Sequence, residues 1–256
     1  MSGCPTALKT IKIIELISKH PEGLILSEIA AKLGYPVSTV FDILHTLVLE
    51  DIIVIKDGRL KNYAIGPKLY IYGSAYIKTS NLINISKRYL KDIADETGFT
   101  AFIVKRNSEE CVPVYKYEPE NAKVITNNIG DVLNMFDTAP GKLFLANDEN
   151  YMDLINNHHF VKNTDYTILD KEKYIDEIEK ARKTSVAIDF RESQSHIVCV
   201  ACAIYDKNNS LDPIAGVISL NGLYTKDINI DMLSRKLYNV ASSIQQILEL
   251  TERISK

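Results

Sequence analysis

Between Pro36 and Glu50 apolar residues recur at helical spacing. At about 100° per residue, Val40, Ile43, Leu44, Leu47 and Val48 fall on one face. Ser38, Asp42 and His45 lie opposite, flanked by Thr39, Phe41 and Thr46. Pro36 at the head of the stretch suits a helical first turn, where a missing N–H costs little. Ahead of it, Ser27–Leu33 (SEIAAKL) reads as a shorter helix with Ser27 as N-cap and Gly34 as its stop. Two helices about a tight Gly-containing turn, the second with small hydroxyls outward near its start, point to a helix-turn-helix. An ordinary helical hairpin has the same spacing, so the next stretch of chain has to separate the two.

After Glu50 come an apolar run, Ile52–Ile55, the turn Lys56-Asp57-Gly58-Arg59, and a second run through Tyr63 and Ile65. Asp-Gly between strand-like runs marks a hairpin. A hairpin directly after a recognition helix is a wing, with Lys56, Arg59 and Lys61 near its tip, where their charges suit phosphate contacts. Ser27, Ser38, Thr39, Asp42 and His45 complete the candidate DNA-facing set. A helix over Leu8–Lys19 and a short strand precede these elements.

Beyond Gly66 and Pro67, Lys68–Lys78 reads as a connecting helix with Leu69, Tyr72, Ala75 and Tyr76 on one side. From Asn81 the pattern changes. A helix over Ile85–Thr97 is followed by strands at Phe99–Arg106 and Cys111–Glu118, with Val124–Asn127 as a third. Thr138–Asn147 is a short helix, then polar sequence without clear periodicity runs to Leu169. Lys171–Lys183 is a charged helix with Tyr174, Ile178 and Ala181 inward. Strands return at Val186–Phe190, Ile197–Tyr205 and Pro213–Leu220, with a turn at Asn208-Asn209, and Ile230–Ile254 closes the chain as a long helix. The order is that of an α+β chain. It divides into a winged helix-turn-helix domain over 1–66, a linker helix over 67–80 and a second domain over 81–256.

Specific pieces carry a resemblance. HPEGL at 20–24, LSEIAAKLG at 26–34, PVSTV at 36–40 and IGPKLY at 65–70 are joined by TAPGKLFLA at 138–146, AIDF at 187–190 and CVACAIYD at 199–206. In this order the chain resembles the isocitrate lyase regulator (IclR) family of bacterial transcription factors over nearly its whole length. The resemblance implies a DNA-binding regulator, typically a repressor, whose connecting helix joins protomers. It also implies a GAF-like antiparallel-sheet domain that binds a small-molecule effector, often a small organic acid. The matching effector positions are Thr138, Ala139, Gly141, Lys142, Asp189, Cys199, Ser219 and Asn221. A helix start near Ala139 offers N–H groups and a positive dipole end to a carboxylate, with Gly141 keeping the surface open and Lys142 adding charge. Departures from the family pattern are Asn134, Phe136, Pro140 and the segment FRESQSH after Asp189. In the recognition helix, Val37, Phe41 and Asp42 replace basic residues and histidine.

Composition narrows the alternatives. The chain has 256 residues, 46% hydrophobic and 25% charged, enough for one large or two smaller cores. No run of eighteen apolar residues spans a membrane, and the N-terminus lacks the apolar core of a secretory signal, so cytoplasmic residence is expected. Net charge is −3. Residues 1–80 carry nine Lys and Arg against seven Asp and Glu, a net +2, and the rest carries −5. So slight a positive charge calls for a homodimer or homotetramer to double the phosphate contacts.

Cys199 and Cys202 form a C-x-x-C, but in a buried strand residues three apart point to opposite faces, so structural thiols are expected rather than a metal or disulfide. No phosphate loop, G-x-S-x-G or H-E-x-x-H occurs; no enzyme, catalytic residue, metal or cofactor is expected. A second reading, motivated by Asp42 and the low positive charge, is a GAF-like ligand or redox sensor that has lost DNA binding.

Overall fold

The computed structural model describes residues 3–57, 61–124, 126–206 and 213–254. Arg59 and the Asn208-Asn209 turn therefore lie outside the described residues. The chain divides into two compact units, Met1–Thr79 and Ser80–Lys256.

The first unit runs α1 (Pro5–Ser18), α2 (Leu26–Leu33), α3 (Val37–Leu49), β1 (Ile53–Ile55), β2 (Tyr63–Ile65) and α4 (Lys68–Thr79). Its core gathers Ile13, Ile17, Ile29, Val40, Leu44 and Ile53. The apolar face of α3 is therefore the one its spacing predicts. Gly34 ends α2 in the left-handed region (φ 65°), its N–H donating to the carbonyls of Ala30 and Ala31. β1 and β2 pair antiparallel, Ile53 opposite Ile65. Leu24 adds a one-residue strand to this wing: its N–H donates to Tyr63 O (3.0 Å) and Tyr63 N–H donates back (2.8 Å).

That bridge overturns one expectation. Ile25 leaves it extended and caps α2, so the helix begins at Leu26 and Ser27 is a first-turn residue rather than the N-cap. The Ile25 N–H instead donates to Glu28 Oε2 at 3.0 Å.

The second unit runs α5 (Asn81–Thr97), β3 (Thr100–Asn107), β4 (Glu110–Tyr117), β5 (Leu133–Asn134), α6 (Ala139–Ala146), α7 (Tyr151–Asn157), α8 (Lys171–Thr184), β6 (Val186–Phe190), β7 (Ile197–Tyr205), β8 (Ile214–Leu223) and α9 (Ile230–Ile254). The six strands form one antiparallel sheet in the order β5-β4-β3-β8-β7-β6. α5 and α9 pack together and against the sheet, whereas α6 packs against α8 and the central strands. Phe102, Val104, Cys199, Ala201, Ala203 and Val217 join α6 and α8 in one core, and Tyr174, Ile178 and Ala181 of α8 are buried in it as their spacing predicts. Two expectations fail here. Val124 and Asn127 lie in no strand, and the sheet edge is instead the two-residue β5; α7 arises within the segment that shows no helical periodicity.

α6 is buried along all eight of its residues. Two features allow this. A Cβ on Gly141 would stand 2.2 Å from the Met135 carbonyl oxygen and 2.4 Å from its Cα, so only glycine lets the helix lie on the preceding backbone. The buried Lys142 ammonium donates to Glu192 Oε1 (2.5 Å) and to the Ile188 carbonyl (3.0 Å), tying α6 to the end of β6. Burial raises the Glu192 pKa to about 7, even against the pull of Lys142.

Two substitutions test this seating by urea unfolding. Gly141→Ala must drive a methyl into Met135 backbone, which cannot rotate away, and should cost about 2 kcal/mol or more; an unchanged midpoint would mean that the 135–141 segment is free to shift. Glu192→Ala strands a buried ammonium and should cost about 3–5 kcal/mol. Adding Lys142→Met should return most of that loss, and a double variant as unstable as the single one would show that the pair is not what holds α6.

Candidate functional site

The first candidate surface is α3 with the wing. Pro36 occupies the N-cap with no side-chain cap, and Val37, Ser38, Phe41, Asp42 and His45 are exposed while Thr39 is half-buried. The Phe41 and His45 rings stack with centroids 6.2 Å apart. Ser27 stands in the first turn of α2. On the wing, Lys61 is exposed with φ 48°, but the Lys56 ammonium donates to the Pro21 carbonyl at 2.7 Å, so it braces the wing onto the loop before Leu24. Helix start, hydroxyls and imidazole on one outward stripe offer donors to a polyanion; Asp42 offers an acceptor to base amino groups.

The second candidate is a cavity of about 490 Å³, open solvent at its mouth included, between the α6 start and the sheet. Strand register builds its floor. Asp189 pairs with Cys199, Cys199 with Asn221, and Asn221 with Thr100, so one row crosses four strands. Ser219 lies two residues from Asn221 on the same face, opposite Phe102. Thr138, Asp189, Cys199, Ser219 and Asn221 all line this cavity, whereas Ala139, Gly141 and Lys142 lie behind its wall.

The reason for Gly141 is thus its approach to Met135 rather than an open ligand surface, and Lys142 is committed to Glu192 rather than to a ligand. Thr138 caps α6, accepting from Gly141 N–H at 3.3 Å. Since Pro140 carries no N–H, Ala139 holds the remaining donor of the first three helical positions.

Asp189 is buried and its pKa is raised by that burial, against hydrogen bonds from its own loop. Its Oδ1 accepts the Glu192 and Ser193 N–H groups (2.7 and 3.3 Å), and its Oδ2 accepts the Ser193 hydroxyl (2.5 Å). It therefore caps the turn after β6 as well as facing the cavity. Two buried acceptor or hydroxyl atoms at the cavity, Asn221 Oδ1 and Thr126 Oγ1, have no partner among the described residues. In a buried setting such atoms are costly unless something else completes them.

Behind the wall, Asp137 is raised to about 6 by burial and by Asp189, with Asn163 donating to it at 2.6 Å. No Lys, Arg or His is among the described residues that line the cavity. Burial raises the thiols of Cys111 and Cys202 to about 12 and that of Cys199 well above its usual value, so the thiolate is disfavoured at these three positions. Among the described residues no group of three or more His, Cys, Asp or Glu could hold a metal ion, and no helix is long and apolar enough to cross a membrane.

Sequence reasoning missed Phe102, Thr126, Asn127, Ser193 and Gln194. Alternation along β3 could have found Phe102, and proximity to Asp189 could have found Ser193 and Gln194. Nothing in the sequence marks the loop residues Thr126 and Asn127.

Comparison with known proteins agrees in both units. Residues 6–54 match the model of the IclR helix-turn-helix domain, and residues 74–246 match that of the bacterial transcriptional regulator IclR C-terminal domain. The HTH-type transcriptional repressor AllR of Escherichia coli (strain K12) is 25% identical over 222 residues, covering 86% of this chain and 80% of AllR. The crystal structure of the Thermotoga maritima IclR is 28% identical with TM-score 0.68, covering 95% of this chain and 98% of that one. An IclR transcriptional regulator from Alicyclobacillus acidocaldarius superposes with TM-score 0.82 at 23% identity, covering 96% and 99%. The winged helix-turn-helix, the antiparallel sheet behind it in sequence and the family models that span both converge, and the chain belongs to the IclR family of bacterial transcriptional regulators, DNA-binding proteins with a C-terminal effector domain rather than enzymes.

Proposed function

We propose that this regulator is a cytoplasmic repressor whose residues 1–66 hold an operator and whose residues 81–256 bind a small organic acid that alters operator affinity. The helix over 67–80 joins two protomers in a homodimer, or a pair of dimers. The name of AllR supports repression, and the exposed Tyr70, Ile71, Tyr72 and Tyr76 of α4 support a partner along that helix. With a net +2 over residues 1–80, one copy makes few phosphate contacts and two copies make twice as many.

The observation that carries the effector reading is the row Asp189–Cys199–Asn221 facing the cavity, with the unpartnered Asn221 Oδ1 and Thr126 Oγ1 beside it. Asp189 lines the cavity, and so does Thr138, the residue that caps α6. A ligand carboxylate is directed to the helix start and away from Asp189, while hydroxyl or amide donors on the rest of the ligand reach Asp189 and Asn221 Oδ1. The effector is therefore a polar acid with donors of its own rather than a bare alkyl acid.

Calorimetry of the full chain against small hydroxy acids and their deoxy counterparts tests this. Loss of the hydroxyl should weaken binding about tenfold or more, since a hydrogen bond to a charged group is forfeited, and Asp189→Asn should narrow that gap. Equal binding of both series would remove Asp189 and Asn221 from the site. For the DNA end, gel shift on the DNA upstream of its own gene should show binding at low salt that falls steeply as salt rises. Ser38→Ala and His45→Ala should weaken it about tenfold each while changing stability by no more than about 0.5 kcal/mol. Variants that unfold early but bind normally would mean that α3 faces the other way.

A further inference from the structure

The outward stripe of α3 is chemically unusual for a helix that meets DNA. Its thirteen residues, VSTVFDILHTLVL, include no Lys or Arg, and Asp42 is the one acidic side chain. Val37 is 54% exposed and Phe41 46% exposed, although the core needs neither, being filled by Val40, Ile43, Leu44 and Leu47. Val37, Phe41 and His45 are spaced four apart, so they form one line along the helix, and the Phe41 ring lies against that of His45. Val37 lies in the first turn, the part of a recognition helix that reaches base edges, and Phe41 one turn further on.

The major groove offers a restricted set of partners to such a line. Guanine presents two acceptors, N7 and O6, whose bidentate reader is an Arg or Lys that α3 does not have; a hydroxyl or imidazole of α3 can meet them with a single donor only, and they repel a carboxylate. Cytosine and adenine present an amino group, which Asp42 can accept. The one apolar feature on the major-groove edge is the C5-methyl of thymine.

We propose that Val37 and Phe41 read thymine methyl groups, and that this chain recognises a thymine-containing half-site by apolar contact where Arg-based readers use guanine. The spacing fits. Four helical residues rise about 6 Å, against about 3.4 Å per base step on one strand, so the two side chains reach thymines one or two steps apart. Asp42, between them and the next turn, accepts from an adjacent adenine or cytosine amino group. This inference rests on α3 being the helix that enters the groove.

The test uses the full-length protein and DNA selected by the protein itself from a pool of random duplexes. The enriched duplexes should share thymines at fixed positions. Replacing each in turn by deoxyuridine removes only the methyl, and should weaken binding about fourfold per methyl, the equivalent of about 0.8 kcal/mol for one buried carbon. Phe41→Ala should erase the difference between thymine and deoxyuridine at one position, and Val37→Ser at the other, each with the salt slope unchanged because phosphate contacts are untouched. Phe41→Leu, which keeps an apolar contact, should retain the preference. Enriched duplexes that centre on guanine, or that tolerate deoxyuridine throughout, overturn the inference while leaving DNA binding intact. A pool in which nothing is enriched overturns DNA recognition by α3 itself, and the inference with it.

Discussion

Helix α6 can lie against the sheet only because residue 141 has no side chain and because the one charge it carries inward finds an anion. A helix buried on every side has no solvent to which a polar group can escape, so each must be completed within the protein. Met135 backbone fills the space beside Gly141, and Glu192 meets Lys142. These two contacts fix the helix at its first turn, which sets where Thr138 and Pro140 stand relative to the strand row. The cavity wall is thus a by-product of how α6 is seated, and the residues that seat it stay out of the cavity.

Much of this was legible from residue order because it depends on period. α3, α8 and α9 have apolar faces at helical spacing, and each buries that face. β7 reads as a buried strand, and alternation alone puts Cys199 with the α6 side and Cys202 on the other face, both as free thiols. What was not legible depends on partners far away in sequence. Ser27 has the right chemistry for a cap, but the Leu24–Tyr63 bridge extends Ile25 and starts the helix earlier. Gly141 and Lys142 look like ligand-binding residues until Met135 and Glu192 come to meet them. β5 is too short for any period to register, and α7 has too few turns.

The two units handle charge in opposite ways. In the effector unit, acids and a lysine are drawn inward and balanced against each other, so that burial raises Glu192 and Asp137 toward neutrality. In the DNA unit, charge is sparse on the helix that faces outward, and Lys56 is spent on bracing the wing to the Pro21 carbonyl. α3 thus presents hydroxyls, an imidazole, one carboxylate and apolar surface, with no Lys or Arg among its residues.

The turn after β6 adds a constraint of a different kind. Asp189 is already engaged by its own chain: Ser193 hydroxyl, Ser193 N–H and Glu192 N–H all donate to it, three donors against about four acceptor sites. A ligand donor that reaches Asp189 shares its carboxylate with Ser193, and Ser193 directly follows Glu192, the residue that anchors α6. The same carboxylate thus faces the cavity and holds the turn that leads to the anchor of α6, so no substitution at residue 189 can alter the one without touching the other.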